Sequence, residues 1–172
     1  MKNGKEKDPL RQWRGKVSKA KGKQFEERLD ASFSYYDTKG FASIEKTPEP
    51  MKPAQSLGNG KFIAFFEKKA QPDYKGTLKG GRSIMFEAKY TDSEKMEQSR
   101  VNKEQTDYLD KHHKLGARCY VIAGFGSGEV YCIPWDVWQD MKAIYGRKYV
   151  KETDIQNYKV KSAWSGLLMI LE

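Results

Sequence analysis

Asp73, Glu87 and Lys89 are the residues of this chain whose types and spacing could do chemistry together. The run from Arg82 to Lys89 alternates as a strand does. Ile84, Phe86 and Ala88 fall on one face, and Ser83, Met85, Glu87 and Lys89 on the other. Glu87 and Lys89 therefore point the same way, on the order of 7 Å apart. Just before this run, Lys79-Gly80-Gly81 has the glycines of a tight turn. A hairpin there returns Asp73-Tyr74 to the side of Glu87 and Lys89. Two carboxylates and one amine on a single sheet edge suit a hard divalent cation and a phosphate.

Magnesium takes oxygen ligands and usually keeps one or two carboxylates, several waters and a substrate phosphate. Asp73 and Glu87 supply two carboxylates, and the carbonyl of Ala88 a third oxygen. A metal held there would acidify a bound water and neutralise charge on the phosphate. Lys89 could orient that water or stabilise the pentavalent transition state. Glu26 could reach the metal directly or through water. The same charges also fit a plain surface ion pair, and a Glu-x-Lys triplet alone is a weak signal. The Pro72-Asp73 dipeptide fourteen residues before Glu87, with a hairpin signal between them, sharpens it.

Several elements must position these groups. Phe25, Leu29, Phe33 and Tyr36 recur at helical spacing and predict an amphipathic helix over 22–36, with Glu26 at the edge of its buried face. Residues 41–46 alternate as a strand. Three prolines and two glycines within 47–60 oppose regular structure and predict a long projecting loop. Residues 61–68 are apolar on both faces and predict a central, well-covered strand. A second helix is expected over 101–115, with Gln105 the one amide on its apolar stripe. Two strands, 118–125 and 129–133, flank a Gly126-Ser127-Gly128 turn, and a helix opens at Pro134. Helices and strands in this order imply an α/β fold with a mixed central sheet.

Composition narrows the partners. The chain has 172 residues and a formal net charge of +9, enough length for one core and enough charge for an acidic partner such as nucleic acid. Residues 1–28 alone carry ten Lys and Arg against four Asp and Glu. This pattern predicts a flexible basic N-terminal arm over 1–20, followed by one folded domain over 21–172. No apolar run is long enough for a membrane span, no secretory signal is expected, and Cys119 and Cys132 lack metal-binding or redox spacing. The expected location is cytoplasmic.

Pro72-Asp73 and Glu87-Ala88-Lys89 resemble the two motif halves of the PD-(D/E)xK nuclease superfamily. Gly22-x-x-Phe25-Glu26-x-x-Leu29, Asp73-Tyr74-x-Gly76, Phe86-Glu87-Ala88-Lys89 and Gln105 resemble, within it, the RecU family of Holliday junction resolvases. The resemblance runs from about Lys21 to Trp138. It implies a restriction-endonuclease-like mixed sheet flanked by helices. It also implies a homodimeric, Mg2+-dependent endonuclease that nicks four-way DNA junctions symmetrically, with Mn2+ able to substitute.

In that family's terms Asp73 and Glu87 are metal ligands, Lys89 is the transition-state lysine, Gln105 lies near the metal, and Glu26 is the acidic position on the first helix. Gln71 stands where the family often has the Thr of a Thr-x-Asp triplet; either it substitutes as an oxygen ligand or that ligand is lost. The 47–60 segment sits where the family carries a stalk that enters the junction centre. Lys52, Lys61, Lys68, Lys69, Lys75, Lys79 and the basic arm are the expected DNA contacts. The competing expectations are another PD-(D/E)xK nuclease, restriction-like or flap-cutting, and a catalytically inactive DNA-binding protein.

Overall fold

The computed structural model describes residues 9–48, 50–66 and 71–171. Helix α1 (Pro9–Thr38) buries Phe25, Leu29, Phe33 and Tyr36, the stripe legible in the sequence. It starts well before residue 22, so the described part of the segment expected to be an arm is helical, with Trp13 exposed on it. Strand β1 (Ala42–Lys46) follows, then β2 (Met51–Gly58), β3 (Lys61–Phe66), β4 (Tyr74–Leu78), β5 (Ser83–Thr91) and the short β6 (Lys95–Glu97). Helix α2 (Lys103–Lys114) leads into β7 (Arg118–Phe125) and β8 (Val130–Pro134). The short helices α3 (Trp135–Gln139) and α4 (Met141–Tyr145) come next, and the chain closes with three short strands.

The central sheet has the order β1-β4-β5-β7-β8. Only β5 and β7 run parallel; the other neighbours are antiparallel, so the sheet is mixed. The expected class, an α/β fold with a mixed central sheet flanked by helices, is the one observed. Strand β5 is covered on both faces. Ile84 and Phe86 pack beneath α1, where the Phe33 and Phe86 rings stack 5.2 Å apart. Met85 faces a second core with Leu109 of α2, Val121 of β7, Trp135 and Trp138. A strand buried on both faces by two helical layers is the setting in which a polar side chain must find specific partners.

Three glycines make the β4–β5 hairpin and its neighbour possible. Gly80 and Gly81 both adopt positive φ in the turn. Gly76 lets β1 lie directly on β4: a Cβ there would sit 2.0 Å from the Ser43 carbonyl oxygen.

Two sequence expectations are corrected. Residues 51–58, within the expected 47–60 loop, are not irregular: they form β2, which with β3 makes a two-stranded ribbon turning at Asn59-Gly60, with register shifts at Pro53/Gln55 and Ser56/Gly58. The irregularities let the ribbon accommodate a proline, which cannot donate to a regular ladder. Nor is β3 a central strand. It pairs with β2 alone, and Phe62, Ile63 and Phe65 are exposed. Apolar residues on both faces of a short run predict burial only if some element covers them, and nothing local in the sequence says that a ribbon stands apart. Strand β5 runs on to Thr91, and β6 and one turn of 3-10 helix follow over 95–100.

Replacing Gly76 by Ala should cost about 3 kcal/mol or more, because the new methyl meets backbone that cannot step aside. Denaturant unfolding of Gly76→Ala checks this; a loss no greater than that of an ordinary surface substitution would contradict the close approach of β1 and β4.

Candidate active site

The register of the hairpin builds the site. Tyr74 pairs with Phe86 in antiparallel register, so the next step outward sets Asp73 opposite Glu87. Asp73 accepts a hydrogen bond at Oδ2 from the Ala88 backbone N–H, 3.0 Å away. The end of β1 closes over it: the Thr47 N–H donates to the Asp73 carbonyl at 2.8 Å. Glu26, Lys46, Thr47, Pro48, Asp73, Tyr74 and Ala88 line a pocket of about 360 Å³.

Glu87 is fully buried. Its Oε1 accepts from the Lys89 ammonium and from Gln105 Nε2, the latter at 2.6 Å. Its Oε2 is enclosed and, among the described residues, has no hydrogen-bond donor. A buried carboxylate oxygen without a partner is costly. Burial above all, then the charge of the nearby Asp73 carboxylate and a hydrogen bond that the protonated Glu87 can share with it, pushes the Glu87 carboxyl up to about 7, although Lys89 pulls it down. Asp73 and Glu87 are thus two neighbouring carboxyls served by one ammonium, that of Lys89. A cation between Asp73 and Glu87 Oε2 would supply the missing partner and the missing charge, and two carboxylates are a donor set that suits magnesium. The residues fit the ion.

Gln105 is the amide that the sequence singled out. It is the third residue of α2, in a reciprocal capping box with Asn102. Gln105 Oε1 accepts from the Asn102 N–H at 3.1 Å, while its Nε2 reaches Glu87. Gln105 thus meets the carboxylate as a donor. Gln71 is exposed, and its Oε1 accepts from Lys75 Nζ at 2.8 Å. Glu26 is exposed at the pocket rim, where its Oε2 accepts from Lys46 Nζ at 2.7 Å.

Lysines 52 and 61 lie exposed on the β2–β3 ribbon, and Lys75 and Lys79 are exposed on and just after β4. Lys68 and Lys69 lie outside the described residues.

Three residues escaped the sequence reasoning. Lys46 sits 2.7 Å from Glu26 and 3.9 Å from Asp30, and the hydrogen bond it donates to Glu26 foremost raises its pKa above the ordinary lysine value. Asp30 accepts from the Tyr74 hydroxyl at 2.6 Å. Tyr74 is buried, and that burial, reinforced by the Asp30 bond, holds its phenol well above the usual range. Helical spacing could have paired Glu26 with Asp30, four residues on. Nothing in the sequence tied either of them to Lys46, which arrives from a different element.

The family model described as RecU, Recombination protein U, matches residues 20–171. The chain belongs to the RecU family. Among RecU relatives, the Holliday junction resolvase RecU of Streptococcus sanguinis is 32% identical over 121 residues, 66% of this chain and 60% of that protein. The Holliday junction resolvase RecU of Geobacillus sp. is 29% identical over 150 residues, 80% of this chain and 73% of that one. The chain thus spans about three fifths of the length of the Streptococcus relative. Among solved structures, Hjc of Archaeoglobus fulgidus, a Holliday junction resolvase, superposes with a TM-score of 0.47 at 14% identity, over 80% of this chain and 88% of that one. The RecU match spans every residue of the pocket just described.

The raised Glu87 pKa sets a sign for stability against pH. A carboxyl whose folded pKa lies above its unfolded value stabilises the fold fully below the unfolded pKa, near 4.5, and that contribution is lost as pH rises through about 7. Between about pH 5 and about pH 8, metal-free wild type should lose on the order of 3 kcal/mol relative to Glu87→Gln, which carries no charge to desolvate. Paired denaturant titrations with chelator present measure this; parallel pH profiles for the two proteins would contradict the buried, under-compensated carboxylate.

Proposed function

We propose that this RecU-family chain is a structure-specific DNA endonuclease that resolves four-way junctions by Mg2+-dependent phosphodiester hydrolysis, acting as a cytoplasmic homodimer that nicks two strands symmetrically. The observation that carries the proposal is the partnerless Glu87 Oε2, buried beside Asp73 with Lys89 on the same carboxylate. An ion pair made for stability would leave no buried oxygen bare.

Asp73 and Glu87 Oε2 would hold the metal. When bound, the ion supplies Lewis acidity toward the scissile phosphate and neutralises its charge. Gln105 and Lys89 fix the Glu87 carboxylate by occupying its other oxygen. The Lys89 ammonium, on the same face as Glu87, would stabilise the charge that develops on the phosphate. Lys46 presents a second cation at the pocket rim, held ready by Glu26 and Asp30.

The relatives named as Holliday junction resolvases support the four-way junction as substrate. Lys52, Lys61, Lys75, Lys79 and the basic N-terminal segment would neutralise phosphates along its arms, together with Lys68 and Lys69. The β2–β3 ribbon, with its exposed Phe62 and Phe65, would enter the junction. Two equivalent strands to cut match the two-fold symmetry of a dimer.

With a synthetic four-way junction in magnesium, Asp73→Asn and Lys89→Ala should each lower the cleavage rate at least about 100-fold, the scale of removing one charge-stabilising group, while junction binding persists. Binding should weaken steeply with salt. Full cleavage by Asp73→Asn would overturn the catalytic assignment. Linear duplex cut as fast as the junction would overturn the substrate class, and wild type that binds without cutting would mark an inactive DNA-binding protein.

A further inference from the structure

A primary amide has two ends that look alike in shape and opposite in charge. Gln105 could meet the buried Glu87 carboxylate with either end, but its oxygen would repel that carboxylate and its NH2 group attracts it. One contact decides between them. The Asn102 N–H claims Gln105 Oε1 at 3.1 Å, which leaves Nε2 to face Glu87 Oε1 at 2.6 Å. The Asn102 side chain holds the turn in place, with Oδ1 accepting from the Gln105 N–H at 2.9 Å. With Lys89 on the same carboxylate oxygen, Glu87 presents Oε2 as its bare atom.

We infer that Asn102 is a positioning residue of the metal site: its cap sets the polarity of the Gln105 amide, and that amide, with Lys89, selects Glu87 Oε2 as the oxygen offered to the cation. The inference rests on the metal-dependent reading of the site. The capping box is a common device for starting a helix. Here the same residue that caps α2 extends its free end to a buried carboxylate, so the start of the helix and the aim of the ligand are one hydrogen-bonded chain. Partners of this kind, which orient a ligand without touching the metal, typically matter roughly 10- to 100-fold in metal affinity.

The test uses Mn2+ binding to the full chain, followed by isothermal titration calorimetry, with junction cleavage as a second readout. Asn102→Pro deletes the N–H that claims the Gln105 oxygen; the Asn102 φ of −73° suits proline, and Val101 before it is already extended. Asn102→Ser keeps both halves of the cap. Asn102→Pro is expected to weaken Mn2+ affinity roughly 10- to 100-fold, and Asn102→Ser to match wild type. Cleavage by Asn102→Pro should recover at high metal concentration, so the metal requirement rises more than the maximal rate falls.

A cap with a structural role alone would lower thermal stability and leave Mn2+ affinity unchanged, and that result overturns the inference. If Asn102→Pro fails to fold by circular dichroism, Asn102→Ala, which keeps the N–H but removes the side chain that holds the turn on which the N–H meets Gln105, decides against Asn102→Ser: weaker Mn2+ binding restored by Ser supports a cap that sets the amide, and wild-type binding by Ala overturns it. Wild type that binds Mn2+ but cuts no junction would remove the proposed function and leave this inference standing. Wild type that binds no Mn2+ would overturn it.

Discussion

The structure turns on a carboxylate that is buried and only half satisfied. Glu87 lies on the central strand of a sheet covered on both faces, with one oxygen held by Lys89 and Gln105 and the other bare. Such a group is stable only if something pulls it into place and something else completes it. The first role falls to the fold. The β4–β5 hairpin sets Asp73 opposite it, β1 closes against β4 through Gly76, and α2 delivers Gln105 from the other side of the sheet. On the proposed function, the second role falls to a cation shared with Asp73.

The two halves of the molecule divide the work. The sheet and its helices hold the reacting groups within tight hydrogen-bond distances, where a small displacement would spoil the alignment. The β2–β3 ribbon stands apart with exposed aromatic side chains and shares no strand pairing with that sheet. A ribbon with few contacts to the core can adapt to a branched substrate without disturbing the site. Lys46 links them: it ends β1, immediately before the segment that leads into the ribbon, and its ammonium is held by two carboxylates of α1.

Much of this was legible in the sequence, and the reason differs from element to element. Alternation over 83–89 and the helical stripe from Phe25 to Tyr36 report one-dimensional periodicity, and both elements formed as that periodicity implies. The hairpin was legible because glycines at 80 and 81 carry their own backbone requirement. Asp73, Glu87, Lys89 and Gln105 came together because motif spacing and strand register are linked. What escaped depends on distance in three dimensions. Phe62, Ile63 and Phe65 have the pattern of a core strand, and only the absence of a covering element leaves them exposed. Gln71 is adjacent to the motif, yet its amide turns to Lys75. Lys46, Asp30 and Tyr74 form their network across three elements, and no local pattern signals that meeting.

The most direct measurement is a crystal structure with Mn2+ diffused into the protein, with the ion located by its anomalous scattering. The account predicts a peak in direct coordination with Glu87 Oε2 and the Asp73 carboxylate, with Gln105 Nε2 still on Glu87 Oε1. An ion bound elsewhere, or a site that stays empty while Glu87 Oε2 finds a protein donor, would contradict it.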